Sequence, residues 1–304
     1  MSQPNRKSAA TISIGMPVYN GEKYIREALD TILGQTFTDF ELIISDNCSS
    51  DSTESICREY AKKDARISYV RQQSNIGAAA NFLYVINQAV GNYFMWAACD
   101  DRWSADWLER MHEAIKEPGV GMAFGQVVHI DASGNTMLHP ANGVNFGYGY
   151  SGIPLLRRAR FYLAYEGMGK ANSIYSLYKR ELVGPLCSMW GEVIEGNLYY
   201  DYTIVYCCLQ YQRIKQVDRA TLFKRIHGES EGSSPKQRSM SARYLARIVA
   251  GLVWPFPPKL LRDYLQHSTI MERFILILLV PVKLFAAYGF RMKQIFMQAK
   301  LHLS

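Results

Sequence analysis

The apolar positions of the first 130 residues fall alternately into short runs and helical stripes. Residues 11–16 (TISIGM) predict a strand. Residues 22–33 place apolar pairs four apart, Tyr24/Ile25, Ala28/Leu29 and Ile32/Leu33, which is the stripe of a one-faced helix. Residues 40–45 (FELIIS) predict a second strand, and Asp51-Ser-Thr-Glu54 after it resembles a capping box opening a second helix. Residues 67–70 and 78–90 repeat the strand and helix pattern, as do 93–98 and 105–116, the latter helix begun by Ser104. Residues 122–130 form a fifth strand that ends in the turn DASGN. Strands separated by helices of this length require right-handed crossovers, which predicts an α/β fold with a mostly parallel, doubly wound sheet flanked by helices.

The pattern weakens after residue 131. Residues 143–152 (GVNFGYGYSG) form a Gly/Tyr-rich loop, 154–165 and 199–212 predict helices, and 170–178 (KANSIYSLY) predict a strand. Beyond Pro235, residues 243–253 and 260–265 look helical, separated by Pro255, Pro257 and Pro258. Residues 274–290 (FILILLVPVKLFAAYGF) are the most apolar run of the chain. A spanning helix needs about 20 apolar residues, and this run carries Pro281 and Lys283 inside it. It suits an interfacial position in the plane of a membrane, with Arg291 and Lys293 toward headgroups, or a helix folded back on the core.

Doubly wound sheets bind ligands beyond the carboxyl ends of their strands. Asn20, Asp46 and the pair Asp100/Asp101 each follow directly on a predicted strand and are expected to gather on one edge. Asn20 or Gly21 would start the first helix. Asp46 is placed to accept hydrogen bonds from a base or ribose, with an Asx turn as the alternative. Asp100 and Asp101 are hard oxygen ligands of the kind that hold Mg²⁺ or Mn²⁺ together with substrate phosphates; a loop with capping acids is the plainer reading.

PVYNGEKYIREALDTILGQ, ELIISDNCSSDST, NIGAAAN and CDDRW, at these intervals, resemble family-2 glycosyltransferases of GT-A fold. The resemblance is close over residues 11–118 and looser to about 235. It implies inverting transfer of a sugar from a nucleotide-diphosphate donor with a divalent cation, Mn²⁺ or Mg²⁺. It also implies that Pro17, Tyr19, Asn20 and Glu22 line the nucleotide pocket, that Asp46 contacts the base, and that Asn75 and Gly77 flank the nucleoside. Asp100 would lie near the donor ribose or sugar and Asp101 would hold the metal. The family's acidic triplet is often D-x-D; here Cys99 stands at its first position, leaving the metal contact chiefly to Asp101.

The chemistry asks for a carboxylate within hydrogen-bond reach of the acceptor hydroxyl, on the face opposite the leaving diphosphate. In the family this base is usually an Asp, often in Glu-Asp, opening a helix ahead of an Arg-x-His segment. Asp201 in YYDY, followed by Arg225 and His227 in KRIH, fits that order, with Tyr200 where a Glu is usual. Asp201 is the expected base; its alternative is a helix-capping acid, and Glu192 and Glu195 compete for the role. His227 would complete the metal shell or touch the diphosphate, Arg225 would neutralise phosphate charge, and residues 228–234 (GESEGSS) suit a lid.

Charge adds what the pattern leaves out. From Lys236 onward there are 11 Lys and Arg against 2 Asp and Glu, and before it 23 against 25. A near-neutral body with a basic, apolar tail points to an anionic surface, and the aliphatic run favours membrane over nucleic acid. The chain is therefore expected to divide into a catalytic unit over 1–235, with a donor half at 11–118 and an acceptor half at 119–235, and a helical tail over 236–304 peripheral to the inner face of the cytoplasmic membrane. A lipid-linked acceptor such as a polyprenyl-diphosphate saccharide follows from that placement, with acceptor contacts expected over residues 131–200, where Tyr148, Tyr150, Tyr162, Tyr165, Tyr175 and Tyr178 abound.

Six cysteines without CxxC spacing fit reduced thiols rather than zinc or a disulfide framework, and the first residues lack the apolar stretch of a signal peptide. No GxGxxG follows the first strand, which excludes a dinucleotide-dependent dehydrogenase, and PVYNGEK lacks the basic Gly-rich loop of a nucleotidyltransferase. Cys99 and Tyr200, both where acids are usual, leave open a degenerate transferase that serves as a binding or assembly subunit.

Overall fold

The structure is a computed structural model that describes residues 10–137, 148–166, 169–182, 200–227 and 257–302. Its elements in chain order are β1 (Ile12–Val18), α1 (Ile25–Leu33), β2 (Phe40–Asp46), α2 (Thr53–Lys63), β3 (Ile67–Arg71), α3 (Ala78–Gln88), β4 (Tyr93–Trp96), β5 (Arg102–Trp103), α4 (Trp107–Ile115), β6 (Val120–Ile130), α5 (Pro154–Leu163), β7 (Leu177–Lys179), α6 (Tyr200–Tyr211), β8 (Arg213–Arg225), α7 (Pro258–Gln266) and α8 (Ile270–His302).

One eight-stranded sheet has the order β3-β2-β1-β4-β7-β6-β8-β5. β1, β2, β3 and β4 pair in parallel; β7 pairs antiparallel with both β4 and β6, β6 pairs in parallel with β8, and β5 runs antiparallel on the edge. Six strands thus share one direction and only β5 and β7 oppose it. β1 is buried along its whole length, Ser13 included, whose hydroxyl donates to Glu41. Pro17 lies past the last β1–β4 pair, Gly15↔Trp96, where a missing N–H costs the sheet nothing.

The shared direction brings the carboxyl ends of β1, β2, β4, β6 and β8 to one edge. Register fixes the far part of that edge, because Ile130 at the end of β6 pairs with Arg225 at the end of β8, and Arg102 of β5 pairs with Phe223. The loop from β4 to β5, which contains Asp100 and Asp101, is therefore held against the last residues of a strand more than a hundred positions later. The register between β6 and β8 shifts between Phe124 and Gln126. Gly125 sits in that irregularity, and Arg219 opposite has φ 66°.

Several sequence expectations are corrected. Residues 170–175 form a 3-10 helix rather than a strand, with only Leu177–Lys179 extended. Here the Ser173 and Ser176 hydroxyls donate to the carbonyls of Lys170 and Ser173, local bonds that compete with a sheet ladder. Asp51 and Glu54 make no reciprocal capping box. Asp51 accepts the Thr53 N–H at 3.0 Å, whereas Glu54 pairs with Arg58 and Arg71. α4 begins after Asp106, and the Ser104 hydroxyl oxygen instead accepts the Thr221 N–H of β8. The expected helix over 243–253 and the loop at 228–234 lie outside the described residues, as does the first half of 143–152.

α7 and α8 pack on α5 and α6. Phe161, Tyr206 and Tyr264 interlock with ring centroids 4.6–6.4 Å apart. Two buried ion pairs pin α8 to this layer, Arg158–Glu272 at 2.7 Å and Lys283–Glu166 at 2.7 Å. Lys170, fully buried, shares Glu166 and donates to the carbonyls of Phe161 and Ala164. Among the described residues no helix is long and apolar enough to cross a membrane.

A Cβ on Gly125 would lie 2.2 Å from the Ala220 carbonyl oxygen and 2.6 Å from the Trp107 ring. Gly125→Ala is therefore expected to destabilise the fold by roughly 1–3 kcal/mol through overpacking. Urea denaturation should show a lower midpoint with an unchanged slope.

Candidate active site

The β1 and β2 exits are sewn together by backbone amides that donate to side chains. Asn20 has φ 51°, a conformation Asn tolerates. Its amide donates to Ser49 Oγ and its own Oδ1 accepts the Ser50 N–H, both at 2.9 Å. Gly21 donates to Thr53 Oγ1, and Glu22 and Asp51 exchange bonds with each other's segments. Tyr19 stays exposed above this turn.

Asp46, fully buried at the end of β2, is held by the protein on both oxygens. Oδ1 accepts the Ser49 N–H at 2.9 Å, the Asx turn that was the alternative to a base contact; Oδ2 accepts the Tyr69 hydroxyl at 2.8 Å and Arg71 Nη1 at 3.1 Å. Asn75 and Gly77 join the same edge. Asn47 Nδ2 donates to Asn75 Oδ1 at 2.9 Å, which also accepts the Gly77 N–H, and Gly77 caps α3 at φ 84°. Nothing lies within 4 Å of where a Gly77 Cβ would be, so that glycine serves backbone conformation rather than close packing.

The acidic pair sits on the other half of the edge. Asp101 is buried, and its hydrogen bond among the described residues is to the Arg225 backbone N–H, which its Oδ1 accepts at 2.8 Å. Burial first, and then the charge of Asp100, push its carboxyl up to about 7, against Lys224 and Arg225. Asp100 is more open, and its Oδ2 meets His227 Nε2 at 2.9 Å. The His227 ring lies against Tyr24 with centroids 4.7 Å apart.

Arg225 was expected to face phosphate, and here the geometry differs. Its side chain is buried and its donors are engaged by protein: Nε by the Asp100 carbonyl at 2.9 Å, Nη1 by the carbonyls of Asp131 and Ala132, and Nη2 by Glu27. The guanidinium also stacks 4.6 Å from the Tyr24 ring centroid. It braces the acidic loop rather than pointing into open space.

Successive residues of a strand point to opposite faces, so Lys224 leaves β8 on the other side. It lines a small cleft with Phe82, Asn172, Ile174, Tyr175, Tyr200 and Asp201. Asp201 opens α6, accepts the Tyr202 N–H at 2.8 Å, and is pushed up to about 6 by burial, opposed by that amide and by Lys224. The Tyr175 hydroxyl is raised well above its usual value by burial and by Asp101, Tyr200, Asp100 and Asp201, so it feels the charge of both the acidic pair and the candidate base. Lys224 lies 5.1 Å from that ring's centroid.

The structure thus brings Asp100, Asp101, Arg225 and His227 together on one side of the β8 terminus and Asp201 on the other. Glu192 and Glu195 lie outside the described residues. Lys224 escaped the sequence reading, whereas Tyr175 was among the tyrosines expected on the acceptor side. Lys224 stood in view in KRIH, where strand alternation alone would have turned it opposite to Arg225. Tyr148, Tyr150, Tyr162 and Tyr178 are core residues rather than acceptor contacts.

Residues 13–183, more than half of the chain, match the family model for glycosyl transferase family 2. The chain belongs to glycosyl transferase family 2. It is 26% identical over 188 residues to glycosyltransferase GlyA of Streptococcus pneumoniae, covering 62% of this chain and 25% of that one. It is 34% identical over 113 residues to TuaG of Bacillus subtilis, which is named for teichuronic acid biosynthesis, covering 37% of this chain and 45% of TuaG. The match therefore spans less than half the length of either relative. Among solved structures, Staphylococcus aureus TarS 1-349 in complex with UDP superimposes with a TM-score of 0.58 at 17% identity, covering 91% of this chain and 89% of that 1-349 chain. The mannosyltransferase PcManGT of Pyrobaculum calidifontis, in complex with GDP-Man and Mn²⁺, gives 0.51 at 18%, covering 99% and 83%. These likenesses carry the GT-A fold, a mixed sheet with helices on it, and confirm the fold class.

Among the described residues no three His, Cys, Asp or Glu side chains form a metal-binding group. Mg²⁺ and Mn²⁺ sites with nucleotide substrates nevertheless need only one or two carboxylates, the rest coming from phosphate and water. A desolvated carboxylate held by one amide, beside a second carboxylate and an imidazole, fits that need. Arg225→Met removes the buried partner of Glu27 and of three backbone carbonyls. Its melting temperature by calorimetry should fall by roughly 5–10 °C.

Proposed function

We propose that the chain is an inverting glycosyltransferase that moves a sugar from a nucleotide-diphosphate donor to a hydroxyl of a saccharide or lipid-linked saccharide, in cell-surface polysaccharide synthesis. The observation that carries this reading is the paired arrangement about the end of β8, with Asp101 and Asp100 on one side and Asp201, in its cleft beside Lys224, on the other. The names of TuaG, of TarS in its UDP-GlcNAc complex and of PcManGT with GDP-Man and Mn²⁺ support a nucleotide-sugar donor and a surface polymer. A lipid-linked acceptor would place the catalytic unit of residues 1–235 at the inner face of the cytoplasmic membrane.

In this mechanism Pro17, Tyr19, Asn20 and Glu22 shape the nucleotide pocket. Asn75 and Gly77 flank the nucleoside, and Asp46 acts by holding the Asn47–Ser50 turn and Arg71 at the base. Asp101, with His227, would hold a divalent cation, which screens the diphosphate and stabilises the charge that develops as it leaves. Asp100 orients His227 and contacts the donor sugar or ribose. Arg225 keeps the loop in place by bracing the Asp100 carbonyl. Asp201 accepts the acceptor hydroxyl proton as that oxygen attacks the anomeric carbon from the side opposite the leaving group. Lys224 beside it offsets part of the burial that disfavours the charged carboxylate.

Thermal shift with UDP-sugars and GDP-sugars, with and without Mn²⁺, tests the donor. Asp101→Asn should remove the Mn²⁺-dependent part of the shift. Asp201→Asn should keep it while transfer falls about 10²–10⁴-fold; normal transfer by that variant would refute the assignment of the base. Wild-type kcat/KM should rise with pH through about 6, as Asp201 loses its proton. The sign for stability is opposite. A carboxyl whose folded pKa is raised stabilises the fold below the unfolded value, and that contribution is lost as pH rises through about 6. Asp201→Asn should therefore melt a few degrees higher than wild type at about pH 8, measured by calorimetry.

A further inference from the structure

α8 is inside out. Winding at 100° per residue puts Glu272, Leu276, Lys283 and Ala287 on one side of the helix. These four are buried against the protein, two of them charged and paired with Arg158 and Glu166. The opposite side, an arc of about 140°, carries Phe274, Ile277, Leu278, Val282 and Phe285. All five are exposed, Phe274 at 71% and Phe285 at 83%. A helix on a water-facing surface has its apolar stripe inward and its charges outward. An exposed apolar stripe of this length marks an interaction surface, and the reversed pattern says that the outer environment of α8 is itself apolar.

Charge decides between occupants. The only two acids after Lys236 are Asp263 and Glu272, and both are buried. Lys259, Arg262 and Arg273 are exposed in the same helical pair. Docking two copies through the stripe would set these bases against each other. Anionic headgroups would neutralise them while the acyl boundary takes the rings. The helix lacks the apolar length to span, which leaves it lying in the interface.

We propose that the outer face of α8 docks this protein flat on an anionic lipid surface, with Phe274 and Phe285 inserted at the headgroup–acyl boundary. The inference gives a partner to the tail and rests on the reading of a membrane-side transferase only for its biological sense, since its geometry stands without any activity.

The test is sedimentation of the full chain with vesicles of phosphatidylglycerol and phosphatidylcholine, against vesicles of phosphatidylcholine alone. Wild type should bind the anionic vesicles, more weakly at high salt. A Phe274→Ser/Phe285→Ser double variant should bind them roughly tenfold or more weakly. Both side chains are exposed, so the variant should melt with wild type and keep its nucleotide-sugar thermal shift. Equal vesicle binding by variant and wild type, or none by either, would overturn the proposal. So would a wild-type dimer in analytical ultracentrifugation that the two substitutions dissolve, because the occupant would then be a second copy. A protein that binds vesicles but transfers no sugar would refute the transferase reading alone.

Discussion

The candidate site depends on one buried cation. Arg225 ends the longest strand among the described residues, and its guanidinium ties together three other parts of the chain: the Glu27 carboxylate of α1, the Asp100 carbonyl, and the carbonyls of the turn after β6. Its own backbone amide meets the Asp101 carboxylate. A buried guanidinium is tolerable only when its donors are satisfied, and the groups that satisfy it are those whose positions define the edge. Two adjacent carboxylates can end an apolar strand because a strand from the far end of the fold supplies an amide to one and a cationic brace behind the other.

The same arrangement explains why the two carboxyl systems differ in character. Asp101 sits where water is scarce and a like charge is adjacent, and Lys224, Arg225 and the Arg225 amide compensate its ionised form only in part. Asp201 is raised for burial alone and has Lys224 nearby to offset part of it. Lys224 and Arg225 are neighbours in sequence and point apart. One strand end thereby serves both systems, coupling the side where a donor would lie to the side where an acceptor would approach.

Much of this was legible in the chain. The alternation of runs and stripes over residues 11–130 gave the parallel half of the sheet, because local periodicity and burial coincide there. The convergence of Asn20, Asp46 and the Asp100/Asp101 pair at the strand ends followed from direction alone. What stayed hidden depended on long-range pairing. β5 is two residues long and exists only because β8 passes beside it. The 170–178 segment has the composition of a strand, yet its serines turn their hydroxyls onto their own backbone. Arg225 could be placed near the acids by its motif, but only the register of β6 against β8 reveals that its donors are already engaged. Cys99 lies against Gly21, where a Cβ would come within 3.3 Å of its sulfur, so the odd member of the acidic triplet packs under the first turn.

The seam between α8 and the rest of the molecule bears on how the tail can be studied at all. A chain ended after residue 235 would deprive Arg158 of its carboxylate and leave Glu166 with one ammonium instead of two. It would also uncover the rings of Phe161 and Tyr206 that Tyr264 now shields. Such a fragment would carry an unbalanced charge and a raw aromatic surface behind the helix that presents Asp201. Inactivity in that fragment would be a symptom of a wounded core, whatever the tail does at a lipid boundary.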